Sequence, residues 1–185
     1  MPGDGEQTRS RPNILVTGTP GVGKTSTSLL IAEELGARHF AVGDIVKEHK
    51  CHEGRDDEFD SFILDEDKLL DVMEPMLEEC AEKGIGVVVD FHSVSFFPER
   101  WFDLVLVLRS DTAVLYDRLT DRGYSEKKRT ENVQCEIMQV VLDEAKESYA
   151  HEIVHEVPSN TKEELESNVS RMVQWTAQWI SEKNS

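Results

Sequence analysis

The chain has 185 residues and a mass of 21.0 kDa, enough for one α/β domain with a sizeable core and too short for a second of ordinary size. Apolar residues make up 38% and charged residues 31%; the net charge of −17 repels bare nucleic acid and anionic membrane, so a macromolecular partner is expected to be basic. The longest apolar runs, such as 85–89 and 104–108, are far too short to cross a bilayer.

Residues 1–12 are polar, carry Gly and Pro, and contain no apolar stretch of the secretory kind, so they are expected to be a disordered lead-in on a soluble, intracellular protein. Residues 13–185 are expected to form a single domain. Asn13–Thr17 is a short apolar run that predicts a strand, and a helical stretch from Lys24 to Leu35 ends at Gly36, a common C-terminal signal. Arg38–Val42 predicts a second strand. His49, Cys51 and His52 cluster, but a structural zinc site wants four ligands and no second pair lies nearby. The three cysteines, Cys51, Cys80 and Cys135, are far apart and form no CxxC pair, which suits reduced thiols.

Leu69, Val72, Met73, Met76 and Leu77 mark one face of a helix that ends before Gly84. Gly86–Asp90 and Asp103–Leu108 are continuous β-branched and Leu runs, the pattern of parallel strands buried on both faces. Val133, Ile137, Val141 and Ala145 recur every four residues and predict one helix after Arg129, and Ile153–Val157 predicts a fifth strand. A last helix starts near Asn160 or Thr161 with an acid three residues on, and turns Leu165, Val169, Met172, Val173, Thr176 and Ile180 inward. Trp175 and Trp179 broaden that face as core or docking surface. The alternation predicts a three-layer, doubly wound α/β fold around a parallel five-stranded sheet, with ligands beyond the C-terminal ends of the strands.

The strongest local signal is GTPGVGKT, residues 18–25, which matches GxxxxGK[ST] and falls between a predicted strand and a predicted helix. Gly21 and Gly23 let backbone N–H groups turn toward phosphates, and the helix N-terminus adds a positive field. Lys24 is expected to reach the β- and γ-phosphates, Thr25 to place its hydroxyl on Mg²⁺, and Ser26 to bond near the α-phosphate. Val87-Val88-Val89-Asp90 has the form of the second buried strand of a P-loop enzyme, whose acid holds Mg²⁺ directly or through water. His92, two residues on, would face the same side if the backbone stays extended; it could orient a water, take a proton, contact nucleotide, or simply bond to loop backbone.

Taken together, VTGTPGVGKT, Val42-Gly43-Asp44, FDSFILDED, VDFHSVSFFPERWFDLVLVLRSDTAVLYDRL, DRGYSEKK and NVQCEI resemble the adenylate kinase isoenzyme 6 family, the coilin-interacting nuclear ATPases. The resemblance implies a nucleoside monophosphate kinase fold, adenylate kinase and ATPase activities, action in small ribosomal subunit maturation through contact with a ribosomal protein, and nuclear residence beside the cytoplasmic one; the chain's acidity adds that this partner is expected to be basic. It assigns Gly21, Gly23, Lys24, Thr25 and Ser26 to the ATP-phosphate loop and Asp90 and His92 to an Asp-x-His motif tied to Mg²⁺ and catalysis. It also makes Arg122 the lid arginine over ATP. A guanidinium there can stabilise charge spread over the transferring phosphoryl group. Arg118, one turn earlier, could share that task or cap a carboxylate.

The basic segment 122–132 reads as a short lid or as a solvated charge run, and 43–67 as the monophosphate-binding region. The second of these is acidic enough to touch a basic protein tail, or else is a solvated loop. Ordinary adenylate kinases carry Gly-Asp-Leu-Leu-Arg where this chain has Gly43-Asp44-Ile45-Val46-Lys47, so Asp44 and Lys47 are the candidate monophosphate contacts and the bidentate fork is lost. Arg100, the other candidate for AMP, follows Phe-Phe-Pro-Glu instead of the Gly-Phe-Pro of ordinary adenylate kinases, so a role toward AMP does not carry over to it. Two readings follow. One is an enzyme passing the ATP γ-phosphoryl to AMP or another monophosphate, and to water; the other is an ATPase-driven assembly factor for a basic ribosomal protein, with turnover as its release switch. A monomer is expected in either case.

Overall fold

A computed structural model describes residues 9–56 and 61–185. In chain order its regular elements are β1 (Asn13–Thr17), α1 (Lys24–Leu35), β2 (Arg38–Ala41), α2 (Val42–Glu48), β3 (His52–Asp56), β4 (Ser61–Leu64), α3 (Glu66–Glu82) and β5 (Val87–Asp90). There follow β6 (Leu104–Arg109), α4 (Thr112–Asp121), α5 (Glu126–Ile137), α6 (Val140–Ser148), β7 (Val154–Pro158) and α7 (Lys162–Lys183). Five strands form one parallel sheet in the order β2-β5-β1-β6-β7, and β3 and β4 pair as a separate antiparallel hairpin.

The unbroken apolar runs become central strands because both faces of the sheet are covered. Leu15, Val87, Val89, Val105 and Val107 turn to one side, where they meet Leu69, Met73 and Leu77 of α3 and Leu142 and Ala145 of α6. Ile14, Val16, Val88, Leu104 and Leu106 turn to the other, against Ile31 of α1, Leu115 and Leu119 of α4, and Val169 and Met172 of α7. The doubly wound three-layer fold read from the sequence is therefore present. Among the described residues no helix is long and apolar enough to cross a membrane.

Several local readings need correction. The single helix expected after Arg129 is two, α5 and α6, broken at Gln139, whose φ of 58° is left-handed. The four-residue spacing had placed Ile137 on the buried face, but its side chain is 61% exposed and Glu136 points inward instead. Backbone polarity explains the exchange: Glu136 satisfies the Ser110 N–H and the Arg109 guanidinium, which an isoleucine could not. The second strand ends at Ala41, and Val42 already begins α2; the fifth runs Val154–Pro158, one residue later than expected.

Of the lead-in expected at 1–12, residues 1–8 lie outside the described residues, whereas 9–12 are held in place. Arg9 bonds through Nη2 and Nε to both oxygens of Asp103, at 3.1 and 3.2 Å, and the same carboxylate accepts the Asn13 N–H. The hairpin β3–β4 occupies much of the 43–67 region, and residues 57–60, with the acids Asp57, Glu58 and Asp60, lie outside the described residues. At the last helix the cap is Thr161, which accepts the Glu164 N–H, while the Glu164 carboxylate accepts the Asn160 N–H in return.

Candidate active site

β1 lies mid-sheet between β5 and β6, and the loop leaving its C-terminal end turns directly into α1. That turn demands glycine. Gly21 and Gly23 sit at φ of 99° and 98°, a region that β-carbons disfavour, and a Cβ on Gly21 would stand 2.8 Å from both Leu115 and Leu119. The loop is braced by Arg118. Its guanidinium donates to the carbonyls of Val22 (3.3 Å), Ser159 (2.8 Å) and Asn160 (3.0 Å), and Ser159 Oγ donates to Val22 O at 2.6 Å. Arg118 thus ties α4 to the loop and to the turn before α7, which makes it a brace of the phosphate loop.

Lys24 opens α1 and folds its side chain back over the loop, with Nζ donating to the carbonyls of Gly18 at 2.9 Å and Thr19 at 3.2 Å. Burial of the ammonium pulls its pKa down to about 8; the Asp90 carboxylate opposes that shift, Arg122 adds to it, and Glu136 opposes it. Charges from β5, the end of α4 and α5 therefore all reach the Lys24 ammonium. Asp90 stands at the C-terminal end of β5, in register with Val16 of β1 and Ala41 of β2, and is 7% exposed. Its Oδ2 contacts His39 Nε2 of β2.

His92 follows on the loop after β5. The residue is exposed, and its ring lies obliquely against Phe91 at 4.5 Å between centroids. The protein around the ring and the Lys24 ammonium beyond it hold its pKa below the ordinary histidine value, with Glu144 opposing. At neutral pH the imidazole is therefore mostly uncharged and can accept a proton or a hydrogen bond.

Gly21, Gly23, Ser26, Arg118 and Arg122 line one cavity of about 380 Å³ together with Ser159, Thr161 and Leu165. Arg122 is the exposed C-cap of α4, where Gly123 at φ 77° reverses the chain. The basic segment beyond it winds into α5, capped by Ser125, which accepts the Lys128 N–H at 3.2 Å. Thr25 is exposed in the first turn of α1, so its hydroxyl and the Asp90 carboxylate are oxygen donors that could hold a divalent cation. Asp44 and Lys47 do not join this cavity; they lie exposed on α2. Arg100 pairs with Glu74 of α3 at 2.6 Å.

Two contributors escaped the sequence reading. His39 carries no motif, and only the sheet order, with β2 beside β5, brings it to Asp90. Glu136, 4% exposed, accepts from Arg109 Nε (2.9 Å), Ser110 N (3.0 Å) and Thr19 Oγ1 (3.3 Å), so α5 is fastened to the phosphate loop. A lone acid beside an apolar stripe was its sole sequence signal.

A family model described as an AAA domain matches residues 14–139. An adenylate kinase isoenzyme 6 homolog of Dictyostelium discoideum is 50% identical over 176 residues, covering 95% of this chain and 98% of that protein. The chain belongs to the adenylate kinase isoenzyme 6 family. A Caenorhabditis elegans homolog of the family is 47% identical, covering 95% of each chain. A solved sugar kinase from Janibacter sp. HTCC2649 superposes with a TM-score of 0.58 over 92% of this chain and 98% of its own, at 14% identity, and so speaks for the fold alone. A gluconokinase from Sinorhizobium meliloti 1021 does likewise, with a TM-score of 0.50 at 16% identity over 94% of this chain and 98% of its own. This family member is a P-loop enzyme of the nucleotide kinase and ATPase kind.

Proposed function

We propose that the chain transfers the γ-phosphoryl group of ATP to AMP, and to water when no monophosphate is present, with Mg²⁺ as its cofactor. The observation that carries this reading is the glycine turn at the N-terminus of α1: Gly21 and Gly23 line a cavity together with Arg122, and Lys24 folds back over the loop, where the Asp90 charge reaches it. The loop N–H groups and the Lys24 ammonium bind the phosphate chain, and the α1 dipole favours its charge. Thr25 and Asp90 would hold Mg²⁺, whose hard-oxygen preference they fit, and the ion would supply neutralisation of the phosphate charge. His92, uncharged near neutrality, orients the attacking group or accepts its proton, and Arg122 closes over the phosphates. Ser26 bonds near the α-phosphate. Asp44 and Lys47 of α2 face the monophosphate.

The lowered pKa of Lys24 predicts a proton linkage. Phosphate oxygens favour the ammonium and raise its pKa, so ATP binding takes up a proton where the free lysine is partly neutral, at and above about pH 8. Calorimetry in buffers of different ionisation enthalpy should show uptake that grows from pH 7 to 9. Constant uptake across that range would contradict the assignment.

The second reading is an ATPase-driven assembly factor for a basic small-subunit ribosomal protein, working in nucleus and cytoplasm. Two observations favour it: Lys47 offers no fork to a monophosphate, and Arg100 is engaged by Glu74. The net charge of −17 suits a basic partner. Chromatography of ATP, ADP and AMP after incubation with Mg²⁺·ATP, with and without each monophosphate, separates the two. ADP in excess of hydrolysis, formed when AMP is present, supports the kinase. Hydrolysis indifferent to every monophosphate replaces it with the second reading.

A further inference from the structure

The residues on either side of His92 are fixed, and one of the anchors comes from α6. Phe91, just before it, is buried among Phe96 and Phe97. Val94, two residues after it, is fully buried and clamped at both backbone polar groups by α6 and its C-cap: its N–H donates to Glu144 Oε1 at 2.9 Å, and its carbonyl accepts from Tyr149 Oη at 3.0 Å. The Ser95 N–H donates to the same Glu144 oxygen, also at 2.9 Å.

A carboxylate that accepts two successive backbone amides makes charge-assisted bonds to a small concavity of N–H groups, an arrangement stiffer than a neutral turn. α6 is a firm base for it. Leu142 and Ala145 share a buried cluster with Val94 and Phe97, and Tyr149 belongs to the same cluster. Nothing in the packing requires an acid at 144; the apolar neighbours dock the helix, and the half-buried carboxylate serves the loop.

We propose that Glu144 is a positioning residue for phosphoryl transfer: by holding the Val94 and Ser95 amides it fixes the turn that presents His92 to the phosphate loop. The inference rests on the reading that His92 takes part in the transfer. Tyr149 supports the same turn through the Val94 carbonyl, and burial raises its phenol pKa well above the ordinary value, so it remains a donor throughout the working range.

The test compares Glu144→Ala, Glu144→Gln, His92→Ala and the double variant for kcat and ATP KM with Mg²⁺·ATP, and follows exchange of the Val94 and Ser95 amide protons by NMR. In Glu144→Ala, kcat should fall by about 100-fold, the cost of misplacing a catalytic group by roughly an ångström, with ATP KM little changed. Both amides should lose protection. Glu144→Gln should keep most of the activity, because its amide oxygen accepts the same two bonds. The double variant should be no slower than His92→Ala, since a misplaced group and a missing one are the same loss.

Wild-type kcat in Glu144→Ala beside a slow His92→Ala overturns this inference alone. Losses that multiply in the double variant do the same, because they assign Glu144 an effect independent of His92. A His92→Ala variant at the wild-type rate overturns the role of His92 and this inference with it. Should Glu144→Ala fail to fold, Glu144→Asp, one methylene too short to reach the amides, takes its place: slow turnover there beside active Glu144→Gln supports the inference, and equal activity in the two overturns it.

Discussion

Lys24→Met should lose ATP turnover by about 10³-fold or more while folding as well as the wild type, or better. The two halves of that expectation have one physical source. Burial pulls the ammonium pKa to about 8, so the fold holds the charge at a cost relative to water. The carbonyls of Gly18 and Thr19 are dipoles, weaker partners than the phosphate oxygens for which the position is suited. Methionine keeps the stem that covers the loop and removes the charge. Thermal melting should therefore show an unchanged or raised Tm, the signature of a residue kept for function at the expense of stability. Steady-state turnover measures the other half, and a variant retaining a tenth of wild-type activity would remove Lys24 from the centre of the mechanism. The same variant should abolish the proton uptake on ATP binding, because the group that titrates is gone.

What could be read from the sequence was what depends on neighbours along the chain. The β1 run, the glycine turn and α1 are contiguous, and each is dictated by local chemistry: apolar burial on two faces, φ values near 99°, and a helix start. Asp90 could be found because it ends an apolar run. His39 could not, since its meaning comes from Asp90, 51 residues further on in the neighbouring strand, and no periodicity within Arg38–Ala41 carries that.

The α5–α6 region failed for a related reason. A four-residue repeat advances about 40° beyond a full turn at each step, so a stripe of Val133, Ile137, Val141 and Ala145 drifts around a straight helix. The chain resolves the drift by breaking at Gln139, which brings Glu136 inward to Arg109, Ser110 and Thr19 and leaves α6 free to turn Glu144 toward the His92 loop. One left-handed residue thus separates two carboxylates with different tasks, one on the phosphate loop and one on the loop after β5. Polar satisfaction of distant backbone groups decided the local geometry, and hydropathy was blind to it.

Asp90→Asn should lower kcat by about 10³-fold and, separately, move the proton-uptake window of ATP binding to lower pH. Asparagine preserves the shape at the end of β5 and can still bond His39, so the sheet register with Val16 and Ala41 should survive. Only the charge is lost. That charge opposes the effect of burial on Lys24; without it the lysine pKa falls below its wild-type value of about 8. At a pH where the wild-type lysine is still charged, the variant's is partly neutral, and ATP must bring the proton back from solvent. Uptake should then begin below the pH at which the wild type starts, while turnover stays low even when Mg²⁺ is raised to saturation. The two measurements isolate different claims: normal turnover at high Mg²⁺ would leave Asp90 a mere structural acid, and an unmoved uptake window would mean that Asp90 and Lys24 do not share one electrostatic site.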